Sequence, residues 1–210
     1  MVVFTDKNFK SICDNLSTDD PDLESIIHQY GYPPLWKRAA TFETLVHIIL
    51  EQQVSLASAL AALNKLKEKV GEITPVNLFL LSNEELKACY FGRQKIIYTR
   101  HLASELISGQ LNLEELNTMD NDTVRSTLTK LKGIGNWSVD VYLMMVLQRC
   151  DIFPLGDVAL ITSIKETKGL SKETSRKEIA IIAEKWKPYQ TVAAFILWHS
   201  YLSKRKRQAI

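Results

Sequence analysis

The sequence predicts an all-α protein, and three observations carry that prediction. Gly and Pro number only 8 and 6 in 210 residues, below the usual shares of about 7% and 5%, which disfavours a fold of many tight turns. Apolar residues recur at spacings of three and four along most of the chain. Helix-start chemistry is repeated: Asp20-Pro21, Thr74-Pro75 and Ser82-Asn83-Glu84-Glu85 each join a capping oxygen to a proline or a glutamate in the first turn. No convincing run alternates apolar and polar residues as a strand would, and no repeat period is visible.

The elements follow in order. Asp20-Pro21 opens a helix whose apolar face is Leu23, Ile26, Ile27 and Tyr30, with Gly31 as its stop. Phe42, Leu45, Val46, Ile49 and Leu50 make a second stripe, ending near Gln52-Gln53. A third helix runs from Leu56 to Val70 and stops at Gly71. Short helices start at Thr74-Pro75 and at Ser82. Ile96, Ile97, Thr99, Leu102, Ala103 and Leu106 mark a helix over 95–106. Residues 122–131 lead into Lys132-Gly133-Ile134-Gly135, and a strongly apolar helix follows over 137–147. Helices near 158–167, 172–186 and 190–203 complete roughly ten.

Composition narrows the function classes. Apolar residues at 46% and charged residues at 24% are globular values. No apolar run reaches 18 residues, so no membrane partner is expected. The opening MVVFTDKNFK lacks a basic stretch followed by an apolar one, so a cytoplasmic or nucleoid-associated protein is expected, nuclear in a eukaryote. Cys13, Cys89 and Cys150 are widely spaced with no CxxC, which argues against a disulfide framework, a four-cysteine zinc site and an iron–sulfur cluster. His28, His47, His101 and His199 show no metal-ligand spacing. Basic residues number 26 against 24 acidic ones. Four of the basic ones are Lys204, Arg205, Lys206 and Arg207, so the body of the chain is slightly acidic and any nucleic-acid binding must come from a local site.

The stretch Leu131-Lys132-Gly133-Ile134-Gly135-Asn136-Trp137 is the candidate for such a site. Two glycines flank one apolar residue between two amphipathic helices. Glycine permits positive φ and leaves backbone N–H groups uncovered, and the following helix adds its unpaired N–H groups and positive dipole end. That is a seat for a phosphate, with Ile134 plugging the loop into the core. On the two glycines alone, a plain C-cap turn is equally good.

In context, the run from Leu131 to Asp157 resembles the helix-hairpin-helix and aspartate signature of the DNA glycosylase superfamily, most closely its 3-methyladenine DNA glycosylase II type. Phe42-Glu43-Thr44-Leu45 with Glu51-Gln52-Gln53-Val54-Ser55 is similar to that family's first helix and its QQ-V-S turn. Gly92-Arg93-Gln94-Lys95, Phe153-Pro154-Leu155-Gly156-Asp157, and Trp186-Lys187-Pro188-Tyr189 with Leu197-Trp198 match in the same order. Asn136 stands where the family often has proline or arginine, Tyr90 and Gly92 replace a commoner Gly and Ser, and Gln190 replaces a usual arginine.

The resemblance implies a helix-hairpin-helix glycosylase fold of two helical lobes with the active-site cleft between them. The central lobe would cover about 41–149 with the hairpin at 131–137, the second lobe 1–40 with 150–203, and a basic tail 204–210. It implies a monomeric enzyme acting on duplex DNA that carries alkylated bases. Asp157 is expected to stabilise the positive charge that develops on the sugar, besides capping a helix. Trp137 and Trp198, with Tyr142 and Tyr201, are expected to line the base pocket, while Trp186 is read as core. Bifunctional relatives place a lysine where Trp137 stands, and indole cannot form a Schiff base. Gln53 is expected to fill the gap left by a flipped base, with Ser55 beside it. Lys132, Gly133, Ile134 and Gly135 are expected to meet the DNA backbone, with Lys95 and Arg93 as further phosphate contacts. The carbonyls of Thr129, Leu131 and Ile134 are expected to hold a monovalent cation, Na+ or K+; no other cofactor is implied. The tail run Lys204–Arg207 is expected either to add non-specific, salt-sensitive DNA affinity or to be a plain disordered tail. Two other readings stay open to test: a non-catalytic DNA-binding module, and a glycosylase for oxidised bases.

Overall fold

The computed structural model describes residues 3–206. They form thirteen α-helices: α1 (Phe9–Asp19), α2 (Pro21–Tyr30), α3 (Phe42–Glu51), α4 (Leu56–Val70), α5 (Pro75–Leu80), α6 (Asn83–Ala88), α7 (Arg93–Ile107), α8 (Leu113–Leu116), α9 (Asn121–Leu128), α10 (Asn136–Met145), α11 (Val158–Thr167), α12 (Arg176–Ala183) and α13 (Gln190–Lys204). A 3-10 turn spans Glu184–Trp186. Among the described residues there is no strand beyond an isolated bridge between Val3 and Arg149.

The chain divides into two compact units. One is Arg38–Tyr142; the described part of the other is residues 3–37 and 143–206. In the first, α3 packs on α4 and α7, and α5 and α6 pack on α7. Leu45, Val46, Ile49, Leu66, Leu102 and Val124 are buried there. Thr41, Ser55, Thr74, Ser82 and Asp120 each accept a hydrogen bond from a backbone N–H of the helix they precede, the chemistry that fixes where those helices start.

In the second unit α13 is the central rod: Val192 to Leu197 are all fully buried, and α1, α2 and α11 pack around it. Phe195 meets Phe4 edge-on at 5.7 Å between ring centroids and Phe9 at 6.2 Å. Asp20 ties this unit together. It caps α2, accepts from Trp186 Nε1 at 2.8 Å, and pairs with Lys168 Nζ at 2.6 Å.

Three elements depart from the sequence expectation. α1 was not foreseen, although Phe9, Ile12, Cys13 and Leu16 form its buried face. Its start has no capping bond from Asn8, and its end runs straight into Asp20-Pro21, which reads as the start of the next helix. The helix expected over 172–186 starts only at Arg176, where Ser175 and Glu178 form a reciprocal capping box, and it tightens at Ala183 into the 3-10 turn. The four-residue α8 is too short to show a period.

Candidate functional site

Asp157 is placed by its loop and by the helix it starts. Its own N–H donates to Pro154 O at 2.9 Å, which closes the turn. Its Oδ1 accepts from the backbone N–H of Leu160 at 2.7 Å, capping α11, and from Trp198 Nε1 at 3.0 Å. A carboxylate oxygen fixed by two donors cannot swing, and a carboxylate so held can oppose a positive charge developing nearby.

Trp198 is set in turn by aromatic neighbours. Its indole stacks on Phe195 at 5.9 Å and 25°, and Trp36 stands edge-on to both, at 5.1 Å from Phe195 and 6.2 Å from Trp198. The sequence reading gave Trp198 a wall of the pocket; it did not foresee that its N–H is committed to Asp157. Trp36 was missed altogether. The signal available was a Trp in the loop Pro33-Pro34-Leu35-Trp36, with no helical period to place it; the structure half-buries it.

The two tyrosines fare differently from the expectation. Tyr142 is fully buried, and its hydroxyl, enclosed without a hydrogen-bond partner, is out of reach of a base. Burial pushes that phenol up to about 12. Tyr201 is half-buried, but the Arg205 guanidinium covers its ring face at 3.9 Å. Arg205 is also held at 2.6 Å by Glu166, and Lys204 lies 3.9 Å from the same carboxylate. Two charges of the basic run are therefore engaged within the protein; Arg207 lies outside the described residues.

The hairpin residues lie in the other unit. Gly133 has φ of +82°, and a Cβ there would fall 2.1 Å from a Tyr98 ring carbon, so glycine is required twice over. Gly135 does not share that conformation. Nothing stands within 4 Å of its missing side chain, which leaves its backbone open. Ile134 is buried, and its N–H donates to Leu131 O at 3.1 Å, curling the loop. Thr129 and Lys132 are exposed, and Trp137, in the first turn of α10, is half-buried. Arg125 braces the two helices, donating to Asn136 Oδ1 at 3.2 Å and Asp140 Oδ1 at 2.5 Å.

At the turn after α3, Gln53 is exposed and adopts a left-handed φ of +59°, an unfavourable backbone for a residue with a Cβ. Ser55 is exposed and caps α4 through Ser58 N at 3.2 Å. Lys95 corrects the sequence reading: its ammonium turns inward to the carbonyls of Ile49 and Gln52, so it is not a phosphate contact. Desolvation lowers it to about 8. Arg93 is exposed at the start of α7. Among the described residues no cluster of three or more His, Cys, Asp or Glu side chains could hold a metal, and no helix is long and apolar enough to cross a membrane.

Comparison with known proteins adds the family context. The model of a family described as HhH-GPD superfamily base excision DNA repair protein matches residues 46–188. The chain is 27% identical over 210 residues to the alkylbase DNA glycosidase-like protein mag2 of Schizosaccharomyces pombe, covering 97% of this chain and 99% of that protein. It is 27% identical over 186 residues to YfjP of Bacillus subtilis, covering 85% of this chain but only 65% of YfjP. The solved structure of the S. pombe 3-methyladenine DNA glycosylase Mag1 in complex with abasic DNA superposes with a TM-score of 0.83 at 27% identity, covering 90% of this chain and 95% of that one.

Proposed function

The chain belongs to the HhH-GPD superfamily of base excision DNA repair proteins, and from that premise we propose that it hydrolyses the N-glycosidic bond of alkylated purines in duplex DNA. The observation that carries this reading is the Asp157 carboxylate, held by the α11 N-terminus and by the indole N–H of Trp198. Phosphate binding by a hairpin needs neither group. The names of the relatives point the same way.

The chemistry asked of the residues is modest. An alkylated purine carries positive charge, so its bond to the sugar is already weakened. When that bond breaks, its electron pair leaves with the base and C1′ gains oxocarbenium character. The Asp157 carboxylate opposes that charge and orients a water whose oxygen bonds to C1′; the water's proton passes to the carboxylate or to solvent. The products are the free base and an abasic site. Trp137, half-buried in the first turn of α10, offers an electron-rich indole suited to a cationic base, worth roughly 0.5–2 kcal/mol. Trp198, buried against Phe195, acts through its N–H on Asp157 rather than as a face for the base. Trp137 also supplies no amine to attack C1′, which supports a monofunctional enzyme with no strand-cleaving step.

DNA is engaged by the other unit. The open backbone at Gly135, the left-handed Gly133 and the α10 N-terminus suit a phosphate, with Lys132 beside them. Gln53, exposed and strained, suits the wedge that fills the space of the flipped nucleotide, with Ser55 following it. The carbonyls of Thr129, Leu131 and Ile134 fit a monovalent cation. They are uncharged oxygens, and the hydrogen bond from Ile134 N–H to the Leu131 carbonyl uses one lone pair of two. Such an ion would supply positive charge toward the phosphate.

The test is direct. Incubating the protein with dimethyl sulfate-treated duplex DNA is expected to release free methylpurines and to leave strands that break only on alkali treatment. Intact bases after prolonged incubation would contradict the proposed function. Strand breaks without alkali would contradict its monofunctional form.

A further inference from the structure

The two glutamines that end α3 have opposite surroundings. Gln53 faces solvent, whereas Gln52 is partly buried and fully engaged. Its Nε2 donates to the carbonyl of Gly133 at 2.7 Å and to Ser138 Oγ at 2.9 Å. Its Oε1 accepts from Lys95 Nζ at 3.2 Å. Lys95 also donates to the Gln52 carbonyl at 3.0 Å and to that of Ile49. An ammonium has three protons, and here three oxygens accept them, two belonging to Gln52. Because Lys95 can only donate, it fixes the amide the right way round, oxygen toward itself and nitrogen toward the hairpin.

None of this is needed to end a helix. The backbone N–H of Gln52 reaches Ile49 O at 3.4 Å, and the carbonyl acceptors could have been satisfied by water. Instead, one side chain spans 81 residues of sequence to Gly133, the same residue whose conformation shapes the hairpin loop. It also stands immediately before Gln53, whose left-handed backbone persists only while its neighbours are held.

We propose that Gln52 is a positioning residue that couples the hairpin's grip on a DNA phosphate to the insertion of Gln53 into the duplex, with Lys95 aiming its amide. This rests on the roles given above to the hairpin and to Gln53. Gripping the backbone at Gly133–Gly135 sets the carbonyl that Gln52 holds. Gln52 in turn sets the backbone from which Gln53 projects. The coupling matters most where opening the base pair is costly and little where the base is already unpaired.

The test compares paired and unpaired lesions. One dimethyl sulfate-treated strand is annealed to its full complement, or to a complement made abasic opposite the purines, and single-turnover release is measured on each. Gln52→Glu keeps the oxygen that Lys95 holds but loses both donors to Gly133 and Ser138. It is expected to slow release from the paired duplex tenfold or more, and from the abasic-complement duplex less than threefold. Gln52→Ala is expected to shift the ratio the same way, as is Lys95→Met by a smaller factor, each with a cooperative thermal transition retained. Equal slowing on both duplexes, or no slowing on either, overturns the coupling. If the unsubstituted chain releases nothing from either duplex, the proposed function itself fails and the coupling falls with it.

Discussion

An indole N–H donating at 3.0 Å to a carboxylate oxygen does more than fill space. Trp198→Phe keeps a ring beside Phe195 and removes the donor together with part of a buried indole. A hydrogen bond to a charged group is worth about 1.5–3 kcal/mol, so base release by the folded variant is expected to slow by about tenfold or more, while the smaller buried ring lowers the thermal midpoint. An unchanged single-turnover rate would show that Asp157 is held in place without the Trp198 donor. At Gly133 the backbone and the space agree: Gly133→Ala must hold φ of +82° and push the Tyr98 ring away. About 1–3 kcal/mol of destabilisation is expected, read by chemical denaturation. Gly135→Ala, which meets nothing, serves as the comparison and is expected to be close to neutral for folding. The sequence could show that both glycines bare the backbone, but not that only one needs the left-handed region. That distinction depends on Tyr98, 35 positions earlier in the chain.

At the scale of elements, the starts of helices were the most legible feature, because a cap is a local bond between neighbours in sequence. Asp20, Thr74 and Ser82 act as their spacing predicts. α1 escaped because its start carries no cap signal and the Asp20-Pro21 at its end reads as the start of the next helix, though its apolar period was present. What no local pattern shows is the second duty of Asp20. Burial works against its charge, but the hydrogen bonds from Lys168 and Trp186 and the Lys168 charge outweigh it, holding the carboxyl below its ordinary 3.8. A group depressed in the folded state stabilises the fold fully above its unfolded value. The contribution fades as pH falls below 3.8 and through the lower, folded value. Removing one partner of such a buried pair costs about 3–5 kcal/mol. Asp20→Ala is therefore expected to lower stability by about that much at neutral pH and to flatten the acid limb of the stability profile. Urea unfolding from pH 7 down to pH 2 measures both, and an acid limb unchanged by the substitution would remove Asp20 from the ledger.

For the whole molecule, the near-neutral charge of +2 argues against a general attraction to DNA from composition alone, and the structure ties up two of the tail's charges on Glu166. The helical class was legible from patterns repeated along the whole chain, and the hairpin turn and the turn before Asp157 because each is a short, contiguous stretch. Trp36, the inward turn of Lys95 and the enclosure of Tyr142 were not, because each depends on residues distant in sequence. The division into two units also separates the proposed tasks. Asp157 and Trp198 belong to one, and the hairpin, Gln53 and Trp137 to the other. Chemistry and DNA binding should therefore be separable by substitution. The decisive measurement is paired: methylpurine release and binding to an abasic-site duplex, both for Asp157→Asn. Asparagine can still accept from Leu160 and Trp198 while lacking the charge, so release should fall about 100-fold or more with affinity changed less than about threefold. Release at the unsubstituted rate would contradict the role given to that carboxylate.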